Sequence, residues 1–205
     1  MLHSTTTAAQ IIETARGNTD ISFEVTDAEM LLWLNALEQL LYSDVIRFQR
    51  RVTAENPAKD ALIRYDSFVY AEDESQMEAR DVLSVAADGI ELDRVSAGWG
   101  QMWLAGQRPV WYPDTDGIRL SLDKSPELLE IAYTVRPKLF TEDAMDTDTI
   151  HIAPEFLPMV IANLRGNLYH VANENALAAQ WFGDYNTQLE TFKAWCADHL
   201  RHYGV

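Results

Sequence analysis

Apolar residues recur at helical spacing in the first quarter of this chain. Intervals of three or four residues separate Met30, Leu34, Leu37, Leu41, Val45 and Phe48. Such spacing places side chains on one face of a helix. Thr26 and Glu29 form a capping box just before this run, a pattern typical of a helix start. We therefore predict a helix that ends near Arg51, preceded by a shorter helix over residues 5–17.

The last third of the chain repeats the helical pattern twice. The first run is Leu157, Val160, Ile161, Leu164, Leu168, Val171, and the second is Leu177, Trp181, Tyr185, Leu189, Phe192, Cys196. Pro154 suits the first position of a helix because its fixed φ and missing N–H cost nothing there. Residues 173–175 carry two asparagines and one glutamate, and they predict a break or bend between two helices.

Between residues 60 and 137 the apolar positions alternate instead, which is typical of half-buried strands. Asp88-Gly89 between apolar runs predicts a tight hairpin turn. Two further strands are predicted around Ile118–Leu122 and Leu129–Val135, with Pro126 marking the turn between them. Pro109–Pro113 is expected at a sheet edge because proline cannot donate to a ladder. Phe68–Tyr70 is another candidate strand.

These patterns predict an α+β fold: a helical bundle formed by the N- and C-terminal helices, with an inserted antiparallel β-sheet or sandwich. The expected boundaries are residues 1–60 and 138–205 for the bundle and residues 61–137 for the β-rich insertion. Residues 139–149 (LFTEDAMDTDT) predict an exposed acidic loop.

Composition narrows the function classes. The 205 residues carry a formal net charge of −16, and the acidic residues are spread along the chain. Such a chain repels phosphates, which argues against tight nucleic-acid binding. The sequence has one cysteine, no basic region followed by an apolar run at its start, and no apolar stretch of about 20 residues. We expect synthesis in a reducing cytoplasm and no membrane partner.

Two short segments weakly resemble metal-binding sites. Asp114-Thr-Asp116-Gly117 resembles part of a calcium loop, but Tyr112 then occupies the position that requires an acid, so a tight turn is favoured. Cys196, His199 and His202 could bind zinc, but His202 lies about 240° around a helix from Cys196, and a core cysteine beside two interface histidines is favoured. No metal, cofactor or enzymatic activity is predicted.

Large aromatic residues are the more informative feature. The chain holds six Trp and eight Tyr, more than a core of this size needs, and such residues are enriched at protein interfaces. The candidates for contact with other subunits or proteins are Trp33, Leu40, Phe48, Trp181, Trp195, His199, Leu200 and Tyr203. Each of them could instead belong to the core.

Several segments together resemble the head-to-tail adaptor (connector) proteins of tailed bacteriophages. The resemblance is carried by DISFEVTDAEMLLWLNALEQLLYSDVIR, DVLSVAADGIELDRVS, WYPDTDGIRLSLDKSPELLEIAYTVRPKLF, IAPEFLPMVIANLRGNLYHVAN and YNTQLETFKAW. It is a similarity of order and pattern over most of the chain, without an invariant motif.

The resemblance implies a structural virion protein without catalytic residues. Its copies would form a ring, typically a dodecamer, in the neck between portal and tail. The ring would dock on the portal protein, extend the DNA channel, and offer a platform to a tail or nozzle protein, while genomic DNA passes without specific binding. Acidic residues would then face the channel or the tail, and the candidates are Glu72, Asp73, Glu74, Glu142, Asp143, Asp146 and Asp148.

Other functions remain open at this stage. A tail-completion or terminator protein would share the composition and the symmetric assembly. A cell-surface hydrolase would use the acidic loops as general acid and base, and a host-side regulatory module would need neither ring nor portal.

Overall fold

The computed structural model describes residues 4–17, 19, 24–46, 49–68, 77–96 and 108–199. The described residues up to Ile46 and from Pro137 onward form one compact unit, and those from Gln49 to Arg136 form a second. The fold is α+β: helices from both ends of the chain pack together, and two four-stranded sheets are inserted between them. The predicted fold class is confirmed.

The helical unit contains four α-helices. Their bounds are α1 (Ala8–Arg16), α2 (Asp27–Leu41), α3 (Leu157–Val171) and α4 (Asn175–His199). α2 continues as a π-helix over Tyr42–Ile46, and a 3₁₀ turn over Pro154–Phe156 leads into α3. Between α3 and α4, Asn173 adopts a left-handed conformation with φ 61°, which confirms the predicted break.

Capping boxes start both N-terminal helices. Thr26 accepts the Glu29 N–H and the Glu29 carboxylate accepts the Thr26 N–H, as the sequence predicts. Thr7 and Gln10 make the same reciprocal pair at α1. These bonds satisfy N–H groups that have no acceptor within the helix, so both helix starts are specified locally.

α3 lies at the centre of the unit and contacts α1, α2 and α4. Its buried side chains include Met159, Val160 and Leu164. Gly166 sits where a Cβ would lie 2.6 Å from the Phe182 ring of α4. The closest approach of the two helices therefore requires glycine at this position.

Arg165 ties three helices together. Its guanidinium donates to the carbonyl oxygens of Thr14, Ala15 and Gly17 at the end of α1, groups that a helix end leaves without partners. The same guanidinium lies 4.8 Å from the centre of the Trp181 ring in α4. One side chain thus caps α1 and covers part of α4.

The second unit contains eight strands in two sheets, in the orders β1-β8-β3-β4 and β2-β7-β6-β5. The bounds are β1 (Gln49–Glu55), β2 (Leu62–Arg64), β3 (Met77–Ala87), β4 (Ile90–Glu91), β5 (Asp93–Arg94), β6 (Val110–Pro113), β7 (Gly117–Ser121) and β8 (Leu128–Pro137). The ring of Phe68, which follows β2, packs 4.8 Å from that of Tyr133 in β8, so the two sheets share a core.

Turn chemistry matches the sequence at the β3–β4 hairpin. Asp88 and Gly89 have φ of 49° and 78°, the positive values that a two-residue hairpin turn of this kind requires. The Asp88 carboxylate also accepts the N–H groups of Glu127 and Leu128. It therefore anchors the start of β8 as well as making the turn.

Three predictions about elements were wrong. The second helix does not reach Arg51, because Gln49–Glu55 pairs with β8 as a strand. Pro109–Pro113 is not a sheet edge: β6 lies between β7 and β5, with Pro109 just before the strand and Pro113 as its last residue, opposite Ile118. Pro126 does not mark a turn between two paired strands, since β7 and β8 belong to different sheets.

Two further points concern residues 49–70. β1 falls in the sheet unit, although the expected domain boundary was residue 60. Phe68 is buried beside a 3₁₀ turn over Tyr65–Ser67, and the rest of the candidate strand Phe68–Tyr70 lies outside the described residues.

Candidate functional site: assembly surfaces of the helical unit

α2 presents an apolar strip to solvent. Leu32, Ala36 and Leu40 follow one another at intervals of four residues, which brings them to one side of the helix. Leu32 is 66% exposed and Leu40 is 51% exposed. The opposite side of α2 is buried, with Leu34, Leu37 and Leu41 in the core. The helix is thus apolar on two sides, only one of which its own unit covers.

Leu139 is 60% exposed, and its stretch of backbone lies next to α2. Its neighbours in the chain are fixed to α2 by side-chain amides. Gln39 donates to the Pro137 carbonyl at 2.7 Å, and Asn35 both donates to the Phe140 carbonyl and accepts the Phe140 N–H. We call Leu32, Ala36, Leu40 and Leu139 the leucine strip.

Behind the strip, α2 holds a buried polar cluster. Glu38 and His151 are each 1% exposed, and the Glu38 carboxylate accepts the backbone N–H of His151 at 2.7 Å. The Tyr42 hydroxyl donates to the His151 carbonyl at 3.0 Å. Sequence reasoning missed this cluster. The available signal was an acid, Glu38, between the core positions Leu37 and Leu41.

The predicted acidic loop is found at the start of α1. Glu142, Asp143 and Asp146 are exposed, and Asp148 is half-buried. The loop carbonyls of Met145 and Asp148 accept the N–H groups of Ala9 and Ala8. Because the N-terminal end of a helix carries partial positive charge, negative side chains nearby are stabilised. The loop is therefore both acidic and fixed in place.

Among the candidates on α4, Trp195 and His199 belong to one aromatic cluster. The Trp195 ring lies 5.5 Å from that of Phe156 and stacks on His199 at 4.5 Å. Trp195 is half-buried and His199 is exposed. Trp33 on α2 and Trp181 on α4 are also half-buried. These aromatics contribute to the unit's own packing, and each keeps some exposed surface.

The other predicted site residues fall outside the part of the chain that the structure describes. They are Phe48, Leu200, Tyr203, Glu72, Asp73 and Glu74. The leucine strip therefore includes one predicted interface residue, Leu40, and three that sequence reasoning did not single out.

Of the two weak metal patterns, the first is fully described, whereas His202 of the second lies outside the described residues. Asp114 accepts the N–H of Thr115 and an N–H of Arg119, and these bonds lower the pKa of its carboxyl group. Cys196 is buried, and burial raises the pKa of its thiol to about 12. The described residues contain no group of three or more His, Cys, Asp or Glu arranged to hold a metal ion.

The sheet unit has an open groove of about 560 Å³ at the β3–β4 hairpin. Three of its charged side chains are engaged in the fold: Asp93 pairs with Arg108 at 2.7 Å, and Asp88 binds backbone N–H groups. The described lining of the groove includes no His, Ser or Cys.

Comparisons with protein families and with curated proteins identify no family for this chain. No protein-family model matches the chain, and no curated protein matches it significantly. None of the described helices is long and apolar enough to cross a membrane.

Proposed function

We propose that the protein is a structural component of a tailed-bacteriophage particle, a head-to-tail adaptor that forms a ring on the portal. The observation that carries the proposal is the leucine strip. Exposed leucines at regular helical spacing are typical of a surface that another protein covers, since burying a leucine side chain is worth about 1.5–3 kcal/mol. We assign this surface to the contact between neighbouring copies.

Charge supports the same function. Residues 1–46 and 137–205 hold half of the 32 acidic residues but only five of the 16 Lys and Arg residues. A ring of such units has a wall that repels DNA. Screening limits the repulsion to about 8 Å at physiological salt, which is enough to keep a passing duplex from adhering. The ordered acidic loop with Glu142, Asp143 and Asp146 is the proposed channel- or tail-facing element.

In this function the partners are further copies of the chain, the portal protein, and a tail or nozzle protein. The ring would number about twelve copies by resemblance to the adaptor family. The protein would reside in the virion neck after synthesis in the host cytoplasm.

The proposal is tested by binding to the portal protein encoded in the same genome. Purified protein is mixed with portal rings, and bound copies per ring are counted by native mass spectrometry. Wild type should load many copies. The double variant Leu32→Gln/Leu40→Gln should load few, because neighbouring copies no longer support each other. Leu177→Gln, at an exposed leucine of α4 outside the strip, is the matched control and should load normally.

Three results would count against the proposal. Loading that is unchanged in the double variant would show that the strip is not an interface. Binding to tail tubes without binding to portal rings would favour the tail-completion or terminator alternative. Turnover of a cell-surface polymer by the purified protein would favour the hydrolase alternative.

A further inference from the structure

β1 is the outer strand of the first sheet. Its residues Gln49–Glu55 pair with β8 in an unbroken antiparallel register, and no strand among the described residues lies on its other side. Long regular edge strands can pair with a strand of another chain, and proteins usually prevent this with prolines or bulges. β1 contains neither. Among the described residues, nothing therefore pairs with its outer edge, which is open to a further strand.

The register shows which residues offer hydrogen bonds at that edge. The N–H of Asn56, just after β1, donates to the Glu127 carbonyl on the β8 side. Backbone groups alternate in direction along a strand. The N–H and C=O groups of Arg51, Thr53 and Glu55 therefore point away from β8. The side chains of the same three residues are exposed.

The sequence of this edge is complementary to itself. When a second copy of β1 lies antiparallel with Thr53 opposite Thr53, Arg51 of each copy lies opposite Glu55 of the other. Opposite charges across a strand pair are stabilising, and Thr–Thr pairs are also favourable. All three outward-facing residues find a suitable partner in this one register.

We propose that β1 is a two-fold self-association contact, in which the β1 strands of two copies pair antiparallel about Thr53. The pairing joins two four-stranded sheets into one sheet of eight strands. It goes beyond the proposed adaptor function, because a two-fold contact closes after two copies and cannot by itself generate a ring. The contact uses residues of the sheet unit and none of the leucine strip.

Cysteine cross-linking tests the register directly. Directly opposed residues in a hydrogen-bonded antiparallel pair have Cα atoms about 5.5 Å apart, within the range of a disulfide. Thr53→Cys should therefore give a disulfide-linked dimer under mild oxidation. The natural Cys196 is buried and contributes little. Thr115→Cys, at an exposed turn position, is the matched control and should stay monomeric on a non-reducing gel.

Sedimentation velocity of three further variants tests the hydrogen bonds and the charges. Thr53→Pro removes an outward N–H and leaves the β8 ladder intact, so the folded protein should no longer dimerise. Arg51→Glu should weaken the dimer about tenfold, because two opposed pairs become repulsive. Adding Glu55→Arg in the same chain should restore the affinity, since the swapped pairs attract again.

Each outcome either supports or overturns the two-fold contact. The Thr53→Cys cross-link, together with rescue by the charge swap, supports the two-fold contact. The proposal would be overturned if the wild-type protein stays monomeric at high concentration and the Thr53→Cys variant gives no disulfide-linked dimer. Loss of assembly in Thr53→Pro without the cross-link would also overturn it, because β1 would then pair with a different strand. None of these results depends on portal binding, so this proposal and the adaptor proposal can fail separately.

Discussion

The Glu38 carboxylate accepts the backbone N–H of His151 at 2.7 Å, across 113 positions of the chain. Both side chains are buried. The bond fastens α2, from the first quarter of the sequence, to the segment that leads into α3. The two ends of the chain are thus joined by a specific polar contact as well as by apolar packing, and α2 is held with its leucine strip facing outward.

Replacement of Glu38 tests this contact. Glu38→Ala should lower the free energy of unfolding by about 3 kcal/mol, because the buried N–H loses its acceptor and a cavity remains. Glu38→Gln keeps a carbonyl oxygen at the same place and should lose less than half as much. Urea denaturation of the three proteins gives the comparison. Equal losses in both variants would show that the hydrogen bond contributes little.

Alanine substitution of two glycines, one on α3 and one on α4, should change the stability of the protein in opposite directions. Gly166→Ala places a methyl group against the Phe182 ring and should destabilise the protein by about 1–3 kcal/mol. Gly183→Ala meets open space and should stabilise it by about 0.5–1 kcal/mol, because glycine is a poor helix former. Thermal unfolding of each variant checks the signs. Destabilisation by Gly183→Ala would mean that α4 packs differently.

The capping box of α2 makes part of the stability pH-dependent. Hydrogen bonds from Thr26, first from its backbone N–H and then from its side chain, lower the pKa of the Glu29 carboxyl group below its usual 4.5. The folded pKa is thus below the unfolded one. The stabilisation is present above about pH 4.5 and is lost as the pH falls through the folded pKa.

Glu29→Gln should therefore reduce the change in unfolding free energy between about pH 6 and pH 3. The control is Glu142→Gln, which changes a carboxylate in the exposed loop. Unfolding curves over this range, with each variant compared with wild type, make the measurement. An unchanged pH profile in Glu29→Gln would contradict the capping assignment.

The thiol of Cys196 should react slowly in the folded protein. Burial raises the pKa of its thiol from 9.0 to about 12, so the reactive thiolate is about a thousandfold scarcer than for an unshifted thiol at the same pH. Labelling with a disulfide reagent at about pH 8 should be slow in buffer and complete in urea, at one thiol per chain. Comparable rates in the two conditions would show that α4 exposes this residue.

The fold class followed from local patterns, because capping boxes, helical spacing and the Asp88-Gly89 turn each specify structure within a few residues. Beyond the β3–β4 hairpin, strand pairing did not follow. β7 and β8 adjoin in sequence but lie in different sheets, since β8 pairs with the distant β1, whereas β7 pairs with β6 and β2. The end of the second helix was misplaced for the same reason: residues 49–55 gain more from pairing with β8 than from one more helical turn.

The candidate surfaces were only partly predictable. Leu40 was among the predicted interface residues, and the acidic loop was predicted from its composition. Leu139 gave no periodic signal, and its place beside α2 depends on amides of Asn35 and Gln39 that bind residues about 100 positions away. Glu38 could have been suspected as an acid on a buried helix face.

Imaging of the particle neck tests the central claim most directly. Virions that carry a labelled copy of this protein would be examined by electron cryo-microscopy with averaging around the portal axis. We predict a ring of label directly beneath the portal, with α2 of each copy at the contact with its neighbour. Mature particles that contain no copy of the protein, or that carry it only at the far end of the tail, would contradict the adaptor assignment.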